Sequence, residues 1–146
     1  MCKQKILLVK PYTGRINSAT APPLGLLYLA SYVRNKNKDY DIKLMDMRVD
    51  KSSINDLLDL VGAYKPGIIG ISVCSEEDEM LHEIAANIKK TYPDIIVIAG
   101  GPHVTLAYND IIKDDSIDFL VIGEGEVTFY ELIESIRHGR DLTAVP

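Results

Sequence analysis

Short apolar runs alternate along the chain with longer segments of mixed polarity. The runs are four to six residues long, are mostly rich in isoleucine and valine, and cover residues 6–9, 42–45, 68–73, 95–99 and 119–122. Apolar runs of this length are typical of strands buried on both faces of a sheet. Lys43 interrupts the second run, which predicts that this strand lies at the edge of the sheet with one face partly exposed.

Amphipathic segments of about 10 to 15 residues separate the runs, as expected of helices that connect parallel strands. The predicted helices run from residues 22–23 to 35–37, over residues 54–64, from about 76 to 92, from 104–105 onward, and over residues 127–137. This alternation indicates right-handed βαβ units. We therefore predict an α/β fold with five helices: a doubly wound, five-stranded parallel sheet of order 2-1-3-4-5, arranged as a flavodoxin-like or Rossmann-like three-layer sandwich.

Local signals mark the ends of several predicted helices. Pro22 and Pro23 suit the first positions of a helix, and either Ser52 or Ser53 is a candidate N-cap of the second. The third helix opens with four acidic residues, 76–79. These favour stabilisation of the helix dipole over a metal site.

Length and charge narrow the class of protein. The chain has 146 residues, 47% hydrophobic and 25% charged, which is enough to bury a core as one domain. The net charge is −5 and the basic residues are scattered, so we expect no nucleic-acid partner. We predict one domain over residues 1–138. Residues 139–146 follow a candidate C-cap glycine without helical periodicity, and we expect them to begin a linker.

Cysteine usage and the first residues bear on the compartment. Cys2 and Cys74 are too few for a disulfide framework or a multi-cysteine metal site. The apolar run at residues 6–9 is much shorter than a signal-peptide core or a membrane span. We expect a cytoplasmic protein with no targeting segment and no membrane partner.

The candidate site follows from the fold, because open parallel sheets bind ligands beyond the carboxyl ends of their strands. The first strand leads into a long polar loop, residues 11–21, which contains Tyr12, Thr13 and Gly14. Loops of this length are commonly functional. A surface loop with no ligand role is the alternative.

Small residues that include Ser72 and Cys74 follow the third strand. They would let a bulky ligand approach the backbone, or they would only pack closely beneath the next helix. We disfavour Cys74 as a nucleophile, because the sequence ties no histidine or aspartate to it and a buried cysteine usually acts as a small hydrophobic residue.

The fourth strand is followed by Gly100, Gly101, Pro102 and His103 at the start of a helix. Paired glycines let a ligand reach the backbone, and a helix N-terminus offers free N–H groups to phosphate or amide oxygens. A tight turn that simply requires glycine is the alternative. A lone histidine at this place more often caps or hydrogen-bonds than binds a metal.

The fifth strand is followed by Gly123, Glu124, Gly125 and Glu126, again before a helix. The two carboxylates can accept hydrogen bonds from hydroxyl or amide groups of a ligand. They also suit the positive end of the helix dipole. Both interpretations are compatible.

Three families of doubly wound domain can be compared with these strand ends. A response regulator requires acidic residues where this chain has Lys10 and Pro11, and a phosphoacceptor aspartate near residues 72–74. A dinucleotide-binding domain requires G-x-G-x-x-G in its first turn, which is absent. An FMN-binding, flavodoxin-like electron carrier remains open, with residues 13–14 and 18–20 as a hydroxyl-rich phosphate loop.

Four passages together resemble the N-terminal cobalamin-binding domain of B12-dependent radical SAM enzymes, including the anaerobic magnesium-protoporphyrin monomethyl ester cyclase group. They lie at residues 22–30 (PPLGLLYLA), 69–72 (IGIS), 100–105 (GGPHVT) and 118–129 (DFLVIGEGEVTF). They span most of the chain in the order expected of that family.

The resemblance implies that the chain binds cobalamin in base-off form and has no catalytic activity alone. It implies that Ser72 and residues 100–101 line the pocket of the nucleotide tail, and that residues 12–21 and 123–126 approach the corrin. The candidate cofactor-binding residues are Tyr12, Thr13, Gly14, Ser72, Cys74, Gly100, Gly101, Pro102, His103, Gly123, Glu124, Gly125 and Glu126. No catalytic residue and no metal ligand is assigned.

The sequence also departs from related cobalamin proteins. The D-x-H-x-x-G loop that supplies a histidine to cobalt is missing after the first strand, so no protein imidazole ligand is expected, with His103 as the one alternative. The C-x-x-x-C-x-x-C motif for a [4Fe–4S] cluster and S-adenosylmethionine is missing too. The resemblance therefore implies that both belong to a catalytic domain of the parent chain, joined through residues 139–146.

Overall fold

Five parallel strands form one sheet in the order β2-β1-β3-β4-β5 in the computed structural model, which describes residues 3–15 and 21–146. The strands are β1 (Gln4–Lys10), β2 (Tyr40–Asp46), β3 (Ile68–Ser72), β4 (Ile96–Gly100) and β5 (Phe119–Leu120). All four strand pairs are parallel. The predicted fold class and strand order are confirmed. Lys43 is exposed on the edge strand β2, also as predicted.

The described residues form six α-helices instead of the five expected. They are α1 (Leu24–Lys36), α2 (Met47–Asp50), α3 (Ile54–Tyr64), α4 (Asp78–Thr91), α5 (Pro102–Ile111) and α6 (Gly125–His138). The additional helix α2 is a single turn, in which the Asp46 carboxylate accepts a hydrogen bond from Arg48 N at 3.1 Å. Its shortness hides it from any analysis of periodicity.

Several predicted boundaries were wrong by a few residues. Residues 75–77 form a 3-10 turn, so α4 begins at Asp78 and not at residue 76. Helix α6 begins two residues early, at Gly125, and strand β5 ends two residues early, at Leu120. In contrast, α3 has its predicted bounds, and Ser53 caps it in a capping box with Asp56.

Two apolar layers sandwich the sheet. Helices α3, α4 and α5 cover one face, where Leu7 and Ile69 are buried. Helices α1 and α6 cover the other face, where Ile6 and Ile68 are buried. Because successive side chains of a strand point to opposite faces, adjacent residues of one strand enter different cores. The predicted three-layer sandwich is confirmed.

The chain after α6 remains close to the domain. Gly139 ends the helix in the left-handed conformation with φ +59°, as predicted for a C-cap glycine. Residues 142–144 form a 3-10 turn, and Val145 packs partly buried against the core beneath α1 and α6. None of the helices among residues 3–15 and 21–146 combines the length and the apolar character that crossing a membrane requires.

Candidate cofactor-binding site

A cavity of about 540 Å³ lies between the sheet and helices α1 and α6, and we call it the α1–α6 cavity. It reaches the carboxyl ends of β3 and β4 and the turns that follow β4 and β5. The described residues that line it are Leu8, Gly25, Leu26, Leu29, Gly70, Ile71, Ser72, Ile98, Gly100, Gly101, Pro102, Thr105, Leu106, Val121, Gly123, Glu124, Gly125, Glu126 and Phe129.

Small residues on one face of β3 and β4 create the floor of this cavity. Ser72 pairs with Gly100 at the carboxyl edge, and Gly70 pairs with Ile98 one row further in. Residues two apart in a strand point to the same face. On the face covered by α1 and α6, glycine and serine thus stand where the strand pattern would otherwise place large aliphatic side chains, and the space they leave is the cavity.

Gly70 lies where the floor meets its roof. A Cβ atom at Gly70 would lie 2.8 Å from Leu8 Cδ2 and 3.6 Å from Phe129 Cε2. A side chain at this position would therefore crowd the end of the Leu8 side chain in the adjacent strand, whereas its distance from Phe129 of α6 would be an ordinary contact. At Gly100, in contrast, a Cβ would lie 3.5 Å from Val121 O, an ordinary contact.

Gly101 occupies a backbone conformation that favours glycine, with φ +103°. A Cβ here would lie 2.7 Å from Val73 O and 2.9 Å from Ser72 Oγ. Two backbone hydrogen bonds join the loop after β3 to the loop after β4. They run from Val73 N to Gly100 O at 3.0 Å and from His103 N to Val73 O at 3.2 Å. The loops after β3 and β4 therefore meet at Gly101 and form one wall of the cavity.

Eight of the thirteen predicted site residues lie together in this cavity. Ser72, residues 100–102 and residues 123–126 all line the cavity. Sequence reasoning missed Thr105 and the aliphatic and aromatic lining from β1, α1 and α6. A glycine inside the apolar strand β3 was the available signal for Gly70, because such a glycine often marks a close approach to the backbone.

Five predicted site residues do not line the cavity. Tyr12 packs partly buried against the core on the opposite face of the sheet. Thr13 and Gly14 lie in the loop after β1, where the Thr13 hydroxyl accepts a hydrogen bond from Arg15 N at 3.4 Å. The remainder of that candidate loop, residues 16–20, lies outside the described residues.

The other two predicted site residues outside the cavity are Cys74, which follows β3, and His103, which follows β4. Cys74 is exposed, so its expected burial was wrong, and its thiol lies 3.7 Å from Lys10 Nζ. His103 Nε2 lies 2.7 Å from Asp78 Oδ1 and so belongs to the α4 side of the sheet. The ring contacts this carboxylate and does not line the cavity.

His103 is the first of four side chains, two histidines and two aspartates, that contact one another in series. Asp78 Oδ1 also lies 3.6 Å from His82 Nε2, and His82 Nδ1 lies 2.5 Å from Asp114 Oδ2. Burial acts to raise the pKa of Asp114, but hydrogen bonds from His82 and Ser116 outweigh it and lower the pKa. No group of three or more His, Cys, Asp or Glu side chains in the described part of the chain is arranged to hold a metal ion.

Two ion pairs lie at the carboxyl edge of β1 and β2. Lys10 and Glu77 are both 8% exposed, with Nζ and Oε2 2.5 Å apart, and Glu77 Oε2 also accepts a hydrogen bond from Cys74 N at 2.8 Å. The other pair joins Asp46 to Arg48 at 2.7 Å. Hydrogen bonds from Arg48 lower the pKa of Asp46 against the effect of burial. The first pair fixes the turn after β3 beside the cavity wall.

Known proteins similar to this chain point to one family. A family model described as the B12 binding domain matches residues 18–133. An uncharacterized methyltransferase of Pyrococcus horikoshii is 35% identical over 97% of this chain and 31% of its own length. An anaerobic magnesium-protoporphyrin IX monomethyl ester cyclase of Synechocystis is 28% identical over 97% of this chain and 29% of its own length. The chain thus spans about a third of these curated relatives.

A solved structure shares the fold. The cobalamin-dependent S-adenosylmethionine radical enzyme OxsB, with aqua-cobalamin and S-adenosylmethionine bound, matches with a TM-score of 0.85 at 23% identity. The match covers 98% of this chain and 20% of that one. Since the family model covers most of the sequence and the fold agrees, this chain belongs to the family of B12-binding domains.

Proposed function

We propose that this domain holds cobalamin in base-off form, with the nucleotide tail of the cofactor inside the α1–α6 cavity, as the cofactor module of a B12-dependent radical SAM enzyme. The observation that carries the proposal is the floor of small residues, Gly70, Ser72 and Gly100, beneath a cavity of about 540 Å³. This volume lies within the range of about 300–1,000 Å³ that is usual for small-molecule sites.

The residues present fit that tail in shape and polarity. Ser72 offers a hydroxyl donor at the carboxyl edge, where a ribose and a phosphate would lie, and Thr105 Oγ1, which donates its own proton to Gly101 O, can accept a further hydrogen bond there. Because Gly101 has no side chain, the ligand can approach its backbone beside these two hydroxyl groups. Further in, Leu29 and Phe129 supply apolar surface for a planar aromatic base.

The turn before α6 suits the amide side chains around the corrin. Gly123 has φ +74°, and no side chain caps the N-terminus of α6. Its first N–H groups can therefore donate to amide oxygens of the cofactor. The carboxylates of Glu124 and Glu126 can accept hydrogen bonds from amide N–H groups.

The cobalt centre supplied by bound cobalamin can carry a methyl group. No histidine lines the cavity among the described residues, and His103 is held by Asp78. We therefore infer that this domain binds the cofactor without supplying an imidazole ligand from its own residues.

We further propose that the partner of this domain is a catalytic domain of the same parent chain, which would bind a [4Fe–4S] cluster and S-adenosylmethionine. The curated relatives are about three times as long as this chain, which supports a further domain. Residues 139–146 would begin the connection, and the protein would act in the cytoplasm.

An FMN-binding electron carrier is less favoured. That function requires a phosphate loop at residues 13–20, whereas the cavity lies over β3 and β4 and is lined by neither Thr13 nor Gly14. The position of the cavity therefore supports cobalamin.

Titration of the 146-residue chain with hydroxocobalamin tests the proposal, with calorimetry and the visible corrin spectrum as readouts. We expect saturable binding and a base-off spectrum. Ser72→Tyr, which fills the carboxyl edge of the cavity, should abolish binding, whereas Ser31→Tyr on the exposed face of α1 should not. Circular dichroism checks that both variants fold. No binding up to millimolar hydroxocobalamin, or saturable binding of FMN instead, would overturn the proposal.

A further inference from the structure

The α1–α6 cavity changes in polarity from the carboxyl edge of the sheet, which we call its mouth, to its inner end beside the middle of the strands. Its four polar lining side chains, Ser72, Thr105, Glu124 and Glu126, all belong to strand ends or to the turns and helix starts beyond them. One row further in, the floor is formed by Leu8, Gly70 and Ile98, which lie side by side in adjacent strands.

The roof above the inner row is equally apolar. Leu29 of α1 and Phe129 of α6 line the cavity there, and Phe129 lies against Gly70. We call this part, together with the inner row of the floor, the inner end. Side chains there offer no hydrogen-bond partner among the described residues.

The backbone groups of Leu8, Gly70, Leu29 and Phe129 are also engaged. Strand β3 lies between β1 and β4, and β1 lies between β2 and β3, so both edges of these strands are paired. Leu29 and Phe129 lie within helices, whose backbone groups bond internally. A polar atom of a ligand buried here would lose its bonds to water without replacement.

On the basis of the proposed function, we infer that the inner end selects among cobamides by the chemistry of their lower base. A dimethylbenzimidazole presents C–H edges and methyl groups to this surface. An adenine base carries an exocyclic amine and additional ring nitrogens. Since a buried group without a partner is costly, the adenine-bearing cobamide should bind at least about tenfold more weakly.

The experiment compares dissociation constants of the chain for three corrinoids in their dicyano forms. These are cobalamin, the cobamide with adenine as lower base, and cobinamide, which lacks the nucleotide. Cyanide on both faces of cobalt detaches either base, so intrinsic differences in base-on stability do not enter. We expect cobalamin to bind at least about tenfold more tightly than the adenine form, and cobinamide to bind most weakly.

The outcomes separate the two proposals. Equal affinity for the two complete cobamides, with weaker cobinamide, would overturn the selectivity and leave the proposed function intact. No binding, or cobinamide binding as tightly as cobalamin, would overturn the proposed placement of the tail and the selectivity with it.

A substitution at the inner end provides a second test. Leu29 is half-buried, and Leu29→Gln would place an amide group beside the lower base. Glutamine is a good helix former, so the substitution should leave α1 intact. The preference for cobalamin over the adenine form should fall by at least about threefold. The matched control Leu27→Gln, on the exposed side of the same helix, should leave it unchanged. An unchanged preference in folded Leu29→Gln would count against the inference.

Discussion

The hydroxyl of Thr105 joins two glycine turns at the mouth of the cavity. Its Oγ1 accepts a hydrogen bond from Gly123 N at 2.9 Å and donates one to Gly101 O at 3.2 Å. One hydroxyl can do both at once. Because Gly101 follows β4 and Gly123 follows β5, this side chain fixes the distance between the loops that line the mouth.

Thr105→Val should therefore weaken cobalamin binding. Valine keeps the shape of threonine but leaves Gly123 N without its acceptor and releases the two turns. We expect the dissociation constant for hydroxocobalamin to rise by about tenfold, the size of one lost hydrogen bond. Thr105→Ser retains the hydroxyl and should bind within about threefold of the wild type. Wild-type affinity in Thr105→Val would show that the bridge does not position the site.

Gly101→Ala should destabilise the fold through a backbone clash. The residue has φ +103°, and the new methyl group would lie 2.7 Å from Val73 O. We expect the free energy of unfolding to fall by more than about 2 kcal/mol in urea denaturation. Gly67→Ala is the matched control, because a Cβ there meets nothing within 4 Å, and it should change stability by less than about 1 kcal/mol. Equal effects of the two substitutions would contradict this account.

The sheet could be predicted from the sequence because its strands are encoded locally. Most of the apolar runs are bounded by turn residues, and short runs that are apolar throughout are typical of parallel strands covered on both faces. The end of β5 was predicted wrongly, because the apolar run continues to residue 122 whereas the strand ends at Leu120. Val121 is buried but Ile122 is exposed, and the backbone turns toward Gly123. Hydrophobicity alone does not reveal where the ladder stops.

The cavity was only partly predictable. The small residues after β3 and β4 signalled it, but the pairing of Ser72 with Gly100 depends on strand register, which the sequence does not display. Lys10 looked like one of many scattered basic residues. Its buried partner Glu77 is 67 positions away and meets it only through the tertiary fold.

Lys10→Met should be strongly destabilising, because it removes one partner of the buried ion pair between Lys10 and Glu77. It would leave the buried Glu77 carboxylate with Cys74 N as its remaining donor among the bonds described. Removal of one partner of a buried ion pair typically costs about 3–5 kcal/mol. Lys113→Met removes the same charge from the exposed pair with Asp110, so chemical denaturation should show a loss below about 1 kcal/mol there. Similar losses in both variants would mean that the Lys10 pair contributes no more than a surface pair.

Asp46→Asn should make the free energy of unfolding depend less on pH in the acidic range. Hydrogen bonds from Arg48 lower the pKa of Asp46 in the folded protein. A carboxyl with a lowered folded-state pKa contributes stability above its unfolded pKa of about 3.9, and that contribution is lost as the pH falls through the folded value. The variant should therefore be less stable than the wild type at pH 7, by about 1.5–3 kcal/mol for a charge-assisted hydrogen bond.

The difference between wild type and Asp46→Asn should then shrink as the pH is lowered below about 4, where the wild-type carboxyl becomes protonated. Urea denaturation of both proteins at a series of pH values measures this convergence. Asp59→Asn, at an exposed position on α3, should differ from the wild type by less than about 0.5 kcal/mol throughout the series. A constant difference between wild type and Asp46→Asn at every pH would show that the substitution acts through packing and not through the charge that Arg48 stabilises.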